Sequence, residues 1–489
     1  MDAELLYLTW QAAEEKQLQR NIMLARHYFD GEHEVPLTER QKEYLGFNTA
    51  KPRFAANFCR VIVNAVVERL IVDGFDSDDE ILSAWAESLW QANRMDATAR
   101  LVHQMAVRDG EAFLLVDWDD NEKRPRFIAH PRYVDAMQGG TGYGCKAHYP
   151  DDDDTQPMLY ASKRWTETIT NERGQRETRQ RLTAYYPERV ERYVLATTGS
   201  EAGWQQYRDK GQTEWPTPWV TTAGDPLGIP AIHFRNPHLR SELWDAVPLQ
   251  DAINKVLLDI MASADTSGFR LLFASGWLPT TDGALPATDG SNLLKISPGQ
   301  IVGTSKDGAS LTPIEGADLA PMLETADSLI MKLAQITDTP TGRFQMTRAV
   351  AAEGTLKQQE APLLGKVRAR EVLFGDAWED MLYLARRLTN TFGGESIGEE
   401  SLLETRWKPS ESRDEAEWIA TLAIKREKLM VPLEQIWSEV GYSGEQIAKM
   451  MSSPEYRARI DALGSLSNQQ VTGNTDAVNN ERTSDANRA

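Results

Sequence analysis

The side chains in this sequence that could do chemistry do not form an established catalytic pattern. Seven histidines are scattered along the chain, and none lies in an HExxH motif or pairs with a cysteine at zinc-site spacing. Neither a GxxxxGK[ST] phosphate-binding loop nor a GxSxG nucleophile elbow occurs. The sequence therefore predicts no catalytic residue, no metal site and no cofactor.

Two unusual runs are better explained as turns than as ligand sites. The glycine-rich run 139–144 is followed by Cys145, and no helix opens there, so we expect a turn between strands rather than a phosphate cradle. The four carboxylates of 151–154 diverge in an extended chain and cannot all face one ion. We expect a solvated surface turn at this position.

Three cations in the second half of the chain are the remaining site candidates. Arg343 and Arg348 lie in a small-residue loop that follows a helix-breaking run, 339–342, and Lys357 lies in the helical pattern after the loop. One interpretation is that they are solvated loop charges. The other is that they contact a polyanion through sparse cations, which would be weak and salt-sensitive and would suit sliding better than tight binding.

Helical patterns surround this loop. An amphipathic pattern covers 319–338, and a similar one at 246–267 precedes a glycine- and proline-rich insertion, 268–318, so we expect two antiparallel helices with the insertion at their tip. A longer pattern covers 355–392, where Pro362 is expected to start or kink the helix. One face of this long helix is apolar: Leu363, Val367, Phe374, Trp378, Met381, Ala385 and Leu388.

The rest of the chain mixes helices and strands. Helical patterns dominate the first 109 residues, and short strand-like runs separated by turns follow at 113–196, as expected for an antiparallel meander. Residues 198–230 are expected to be loop. An extended run lies within 393–412, a small helical cluster at 413–460, and a polar tail without aromatics at 461–489 that we expect to be disordered. The predicted class is α+β.

Composition restricts the function further. The net charge of −20 disfavours a protein that coats nucleic acid through its overall charge. The two cysteines provide no disulfide framework, and we find neither a signal peptide nor an apolar run long enough to span a membrane. With 73 acidic residues, carboxylate pairs arise by chance, so a carboxylate-dependent hydrolase stays open only as a hypothesis that needs geometry. A scaffold protein without nucleic acid also stays open.

Several runs, taken in order, resemble the portal (connector) proteins of tailed bacteriophages, especially the siphophage-type family. The resemblance covers nearly the whole chain up to about residue 460. The runs that carry it are Arg26–His33, Asn57–Leu70 with Asp73–Phe75, Pro248–Lys255, and Thr339–Gly342 leading to Glu353–Lys357.

The resemblance implies a portal fold in a ring-forming subunit. The implied parts are a wing (1–245), a first stem helix (246–267), a clip (268–318), a second stem helix (319–338), a tunnel loop (339–354), a long kinked helix (355–392), a return to the wing (393–412), a crown (413–460) and a disordered tail (461–489).

The resemblance also implies a non-enzymatic function. Subunits, usually twelve, would close a ring at one capsid vertex, through which double-stranded DNA passes during packaging and ejection. Twelve copies would carry a charge on the order of −240, a wall that repels phosphates, while Arg343, Arg348 and Lys357 would face the DNA. The implied partners are the major capsid protein, the terminase large subunit, a head–tail adaptor and a scaffolding protein, with no membrane. The protein would be made in the host cytoplasm and reside in the virion.

Overall fold

The structure is a computed structural model in which the chain divides into two compact units, Met1–Glu411 and Ser412–Ala489. The residues that it describes are 3–33, 56–134, 143–153, 155–170, 174, 176–196, 203–209, 212–268, 272–275, 310–313, 318–344, 353–394, 396–398, 401–411, 415–440, 442, 444–454 and 456–458.

The helices of the first unit are α1 (Ala3–Thr9), α2 (Ala13–Asp30), α3 (Cys59–Val67), α4 (Glu80–Ala92), α5 (Met95–Asp109), α6 (Val247–Gly268), α7 (Ala320–Ile336) and α8 (Glu353–Leu388). A π-helix, Thr389–Gly393, continues α8. Short 3₁₀ turns lie at Pro150–Asp152, Pro237–Leu239 and Thr341–Arg343. The helices of the second unit are α9 (Glu415–Leu429), α10 (Leu433–Val440) and α11 (Gly444–Ser452).

The strands are β1 (Val72–Asp76), β2 (Glu111–Asp119), β3 (Arg124–Pro131), β4 (Gly144–His148), β5 (Tyr160–Thr170), β6 (Arg176–Tyr185), β7 (Arg189–Ala196), β8 (Gly203–Gln206), β9 (Thr217–Pro218), β10 (Ala231–Arg235), β11 (Leu272–Ser275), β12 (Ser310–Pro313) and β13 (Glu404–Trp407). The described strands pair in antiparallel fashion. One sheet has the order β4-β5-β6-β7-β8 with β9 on β7, another has β10-β2-β3, and β1 pairs with β13 and β11 with β12.

The main core of the first unit lies between α3, α5, α8 and the sheet that contains β2. The seven apolar residues predicted on one face of α8 are all fully buried here. Their recurrence every three or four residues places them on one side of the helix, so burying that side removes all of them from water. Trp90 contacts Trp378 edge-on, with ring centroids 5.1 Å apart. The predicted core position of Trp378 is confirmed.

His103 is a polar group at the centre of this core. Its Nδ1 lies 3.1 Å from Leu70 O, and its Nε2 accepts the indole N–H of Trp378 over 3.1 Å. With Nδ1 as the donor to the carbonyl, both ring nitrogens are satisfied in the neutral form. Burial lowers the pKa of His103 to about 3, so the ring stays neutral in the folded protein at physiological pH.

The free energy of unfolding is expected to fall as the pH drops below the ordinary histidine pKa of 6.5, because the unfolded chain then binds protons that folded His103 refuses until about pH 3. Each such histidine contributes about 1.4 kcal/mol per pH unit in this window. Burial also lowers the pKa of His148 to about 3, which adds to the slope. Denaturant titrations at a series of pH values measure how steeply the free energy of unfolding depends on pH. His103→Leu should give a shallower slope, and an unchanged slope would contradict the assignment.

A buried charge network joins α2 to two sheets. Arg132 donates to Glu15 over 2.7 Å, to Glu111 on β2 over 2.8 Å and to the carbonyl of Cys145 on β4 over 3.4 Å, and its guanidinium lies over the ring of Trp10. Burial alone would raise the pKa of Glu111, but Arg132 and His233 outweigh it and lower that pKa to about 2. The carboxylate is therefore charged at neutral pH, and the network is held by paired charges.

The first strand of the larger sheet needs glycine where it passes Arg132. A Cβ added at Gly144 would lie 2.1 Å from the carbonyl oxygen of Arg132, a distance that no side chain tolerates. This close approach explains why the last residue of the glycine-rich run, with which β4 begins, is a glycine. The predicted turn itself, residues 139–142, lies outside the described residues.

The second unit is built from its three described helices. Ile436 on α10 is buried, and Trp437 packs against Tyr456 with ring centroids 5.2 Å apart. Lys425 on α9 forms an ion pair with Glu439 on α10 over 2.8 Å. These helices match the small helical cluster predicted at 413–460.

Most predicted elements are confirmed, and some predictions need correction or fall outside the described residues. The α+β class, the meander, the helices near 246–267 and 319–338, and the extended run before Trp407 are all present. The loop prediction for 198–230 was wrong at 203–206 and 217–218, where β8 and β9 pair with β7. Pro362 does not start the long helix, because α8 begins at Glu353. The polar tail, 461–489, lies outside the described residues.

The insertion between α6 and α7 is described only at its two ends. Those ends, β11 and β12, pair with each other, and α6 contacts α7. The middle of the insertion, residues 276–309, lies outside the described residues. Across the described part of the chain, no helix is both long enough and apolar enough to cross a membrane.

Candidate functional site

The segment that connects α7 to the predicted cationic loop is called here the loop root and comprises residues 337–344. Thr337 closes α7 by donating its hydroxyl to Leu333 O over 2.7 Å. The chain then turns at Asp338, whose φ is +50°, and a single 3₁₀ turn, Thr341–Arg343, follows. The turns at Asp338 and Thr341–Arg343 therefore end the helical path of α7, as the helix-breaking run 339–342 predicted.

Lys366 of α8 holds the loop root from one side. Its Nζ donates to the carbonyl of Thr337 over 2.8 Å and to Glu242 Oε1 over 2.5 Å, and it lies 3.5 Å from Asp338 Oδ2. The other oxygen of Glu242 accepts a hydrogen bond from Arg370. One carboxylate thus binds two cations of the same helix and fixes the end of α7 against α8.

The carboxylate of Glu242 is almost fully withdrawn from water. The side chains of Glu242 and Arg370 are 7% and 5% exposed. Burial lowers the pKa of Arg370, and the adjacent carboxylate opposes that shift. Arg370 also donates from Nε to Asn236 Oδ1 over 2.8 Å. A buried guanidinium with this many partners depends on its counter-charge, because leaving such an ion unpaired costs several kcal/mol.

Arg343, the first of the predicted cations, is paired with a carboxylate from another element. Its Nη1 lies 2.8 Å from Oε2 of Glu68, the residue that follows α3. The two side chains are 36% and 39% exposed, so the pair is screened by water and contributes about 0–1 kcal/mol. The next residue, Phe344, packs edge-on against Phe58 with ring centroids 5.6 Å apart.

A second ion pair lies beside the first and is better shielded. Arg69 Nη2 lies 3.1 Å from Glu360 Oε1, with side chains 9% and 20% exposed. Arg69 also donates from Nη1 to Ala65 O over 3.2 Å. This pair joins the end of α3 to the beginning of α8, so both ends of the cationic loop are tied to the same helix.

The other two predicted cations are placed as follows. Lys357 occupies an exposed position in the first turns of α8. Arg348 lies outside the described residues. The structure thus brings Arg343 to the loop root and Lys357 to the beginning of the following helix.

Sequence reasoning missed the acidic partners of this site. Glu68 and Glu242 are separated from their partners by 275 and 124 residues. Neither residue lies in a motif, or at a position in a helical or strand periodicity, that would identify it as a partner of these cations. Only the tertiary structure brings these carboxylates to the loop root.

Among the described residues, the two cysteines, the acidic turn and the possible metal ligands give no sign of a nucleophile or a metal site. Burial raises the pKa of the thiols of Cys59 and Cys145 to about 12, which makes them poor nucleophiles. Asp153 accepts hydrogen bonds from Thr155 and Gln156, as a capped turn does. Within the described ranges, no group of three or more His, Cys, Asp or Glu residues is arranged to hold a metal ion.

A cleft of about 700 Å³ along α2 also lacks a catalytic arrangement. Lys16, Arg20 and His27 are among the residues that line it. Tyr28 and Asp251 line it as well, and the Tyr28 hydroxyl donates to Asp251 over 2.5 Å. The carboxylate is thereby engaged in a structural bond between α2 and α6, which explains its presence without catalysis.

Comparison with known proteins decides the family. The profile of the family described as "Phage portal protein, SPP1 Gp6-like" matches residues 10–452. The chain belongs to this portal protein family. The portal protein of Mycobacterium phage D29 is 25% identical over 437 residues, which cover 83% of this chain and 80% of that protein. The portal protein of Mycobacterium phage L5 is 25% identical over 466 residues, which cover 88% and 85%.

Family membership confirms the resemblance seen in the sequence. It makes the chain a structural protein of a bacteriophage, with a role in the capsid and in DNA packaging, and not an enzyme. The match includes the loop root, α8 and the helices of the second unit.

Proposed function

We propose that copies of this chain close into a ring at a unique capsid vertex and that double-stranded DNA passes through the ring during packaging and ejection. The observation that carries the proposal is the portal family match over residues 10–452. A closed ring uses head-to-tail contacts, so each subunit presents two different complementary faces to its neighbours. We propose twelve subunits, with the channel as the working site.

The charge of the chain supports passage rather than tight binding. At a net −20 per subunit, the protein repels phosphates over most of its surface. Arg343, Arg348 and Lys357 are proposed to supply the sparse cations that face the duplex. At the loop root, the Arg343 guanidinium is already offset by Glu68, which keeps the local attraction for DNA modest.

The parts of the portal fold are assigned to this chain as a proposal. The helices α6 and α7 form the stem, and 268–318 forms the clip at its tip. Residues 339–354 form the tunnel loop, and α8 connects that loop to a wing built from 1–245 and 393–412. Residues 413–460 form the crown. The mutual contact of α6 and α7 and the pairing of β11 with β12 support the stem and clip assignments.

The partners follow from this assignment. The clip docks the terminase large subunit during packaging and a head–tail adaptor afterwards, and the wing contacts the major capsid protein and a scaffolding protein. ATP hydrolysis belongs to the terminase, consistent with the absence of a GxxxxGK[ST] loop from this sequence. The ring assembles in the host cytoplasm and remains in the virion.

Electron microscopy of the purified full-length protein tests the proposal. We expect rings with a central channel wide enough to admit a B-form duplex. Monomeric particles with hydrolase turnover would support a carboxylate-dependent hydrolase instead. Compact oligomers without a channel would support a scaffold protein that does not handle nucleic acid.

The double variant Arg343→Ala with Arg348→Ala is expected to form rings but to yield fewer DNA-filled heads. The physical reason is the loss of phosphate contacts, each of which contributes about 0.9 to the slope of log affinity against log salt. Counting filled and empty heads by electron microscopy measures the effect. Arg368→Ala is the matched control, because that arginine pairs with Glu411 on an exposed face of α8. Normal filling in the double variant would remove the role proposed for the loop.

A further inference from the structure

We infer that Glu68 is a displaceable counter-charge for Arg343, and that phosphate groups of the DNA backbone replace it as the duplex passes the loop root. The inference rests on the proposed function and adds a residue outside the loop to it. It makes Glu68 a positioning residue that acts through Arg343. Its basis is the position of Glu68, the exposure of its ion pair and the way the loop root is fastened.

Glu68 occupies a position where a negative charge is poorly supported by its own helix. It follows the last residue of α3, and its backbone N–H donates to Asn64 O over 2.9 Å. The carboxyl end of a helix carries partial negative charge, so a carboxylate is disfavoured there and a cation is favoured. Arg343 therefore offsets the charge of Glu68 at a helix end that does not favour a carboxylate.

The two ion pairs at this helix end differ in how easily they open. The pair of Arg69 with Glu360 is largely shielded from water, and Arg69 also donates to a carbonyl of α3. The pair of Arg343 with Glu68 is more than a third exposed on both sides. Water and ions therefore compete for the second pair far more than for the first. Arg69 therefore stays bound to Glu360, while Arg343 exchanges Glu68 for a phosphate.

The backbone of the loop root does not have to move for this exchange. Phe344 is packed against Phe58, and Lys366 holds the carbonyl of Thr337. These contacts lie on either side of Arg343 in the chain. The exchange is thus a rotation of one side chain, and the guanidinium stays within reach of both partners.

A phosphate is a stronger partner for this guanidinium than the carboxylate is. The contact with Glu68 uses Nη1 alone, whereas arginine and phosphate form two parallel hydrogen bonds when the fork is free to align. Once displaced, the Glu68 carboxylate lies close to the phosphate that replaced it and repels it. Contact is therefore short-lived, which lets a charged duplex slide past without being trapped.

Salt-dependent binding of a fluorescent linear duplex to purified full-length rings tests the inference. Glu68→Gln removes the competing charge but keeps the side-chain shape. We expect tighter binding and a slope of log affinity against log salt that steepens by about 0.9 for each additional phosphate that the ring neutralises. Arg343→Gln should weaken binding. The double variant should match Arg343→Gln, because Glu68 acts on the DNA through Arg343.

Two further variants separate this role from a general loss of negative charge. Glu68→Asp keeps the carboxylate and should bind like the wild type. Glu411→Gln removes a surface carboxylate that also pairs with an arginine, and it should leave the slope unchanged.

Two outcomes overturn the inference alone. One is a Glu68→Gln ring that binds duplex like the wild type. The other is an effect of Glu68→Gln that persists undiminished in the Arg343→Gln background. Wild-type protein that forms no channel-bearing rings, or whose rings bind no duplex, overturns the proposed function itself. Because that result comes from the wild type, the two failures are distinguishable.

Discussion

Glu242→Ala is expected to lower the free energy of unfolding by about 3–5 kcal/mol, because it leaves the guanidinium of Arg370 buried without its counter-charge. The carboxylate binds Lys366 and Arg370 at once, and no other carboxylate has a described ion pair with Arg370. Chemical denaturation followed by circular dichroism measures the change. Glu242→Gln also removes the charge but retains the shape and one acceptor oxygen, so the loss in that variant reports on the charge, and the additional loss in Glu242→Ala reports on the shape and the remaining hydrogen bond.

The matched control for this experiment lies on the same helix. Arg368 pairs with Glu411 over 2.8 Å, but their side chains are 64% and 50% exposed. Removal of such a surface carboxylate costs at most about 1 kcal/mol. If Glu411→Ala destabilised the protein as much as Glu242→Ala, burial would not be the reason for the effect.

Loss of Glu242 should also loosen the loop root. Lys366 would keep the carbonyl of Thr337 but lose the carboxylate that orients its ammonium group. Hydrogen exchange at the backbone amides of 337–344 should therefore accelerate in Glu242→Ala more than in the strands of the sheets, since locally opened segments exchange first. Equal acceleration everywhere would indicate global destabilisation instead.

Arg132→Met is expected to destabilise the fold by a similar amount, about 3–5 kcal/mol at neutral pH. The change leaves Glu15 and Glu111 buried without the guanidinium that both of them contact. Methionine approximates the length of the arginine stem, so the loss reports on charge more than on packing. Arg124→Met is the matched control on the preceding strand, where the arginine is a third exposed and 4.0 Å from Glu122.

The pH dependence of this effect has a defined sign. In the wild type, the pKa of Glu111 falls from 4.5 to about 2 on folding, so its contribution to stability is full above pH 4.5 and is lost as pH falls towards 2. Without Arg132, the largest contribution that opposes burial is lost, so the pKa of Glu111 rises relative to the wild type and protonation relieves the variant. The difference in unfolding free energy between wild type and Arg132→Met should therefore shrink as pH falls from 7 to 3, and a constant difference would contradict this account.

The two charge networks act beside the apolar core to fix distant segments. Arg132 joins α2 to the sheets, and Glu242 joins the chain before α6 to α8 and the loop root. Each uses a nearly fully buried ion that depends on one or two partners. The buried ion pairs of Glu242 hold the loop root in place, while the exposed arginine of the Arg343–Glu68 pair can still exchange its partner.

Local pattern was enough to predict most of the elements. The apolar spacing along α8 predicted its buried face residue by residue, because helical periodicity alone determines which side chains share a side. The end of α2 also has a local cause, because Gly31 follows it with a φ of +83°, a left-handed conformation that glycine adopts without strain. Turn residues likewise marked the hairpins of the meander. The short strands β8 and β9 were missed because their composition resembles a loop and only pairing with β7 defines them.

The family resemblance was also available from the sequence, because it rests on the order of short runs and not on their contacts. The partners of the candidate cations were not available. Glu68 lies 275 residues from Arg343, and Glu242 lies 128 residues from Arg370. The periodicity of apolar residues indicates which side of a helix or strand faces the core. It does not indicate which other helix or strand packs against that side. Whether a loop arginine is free or already paired depends on a carboxylate far away in the sequence, and only the tertiary structure decides whether the two meet.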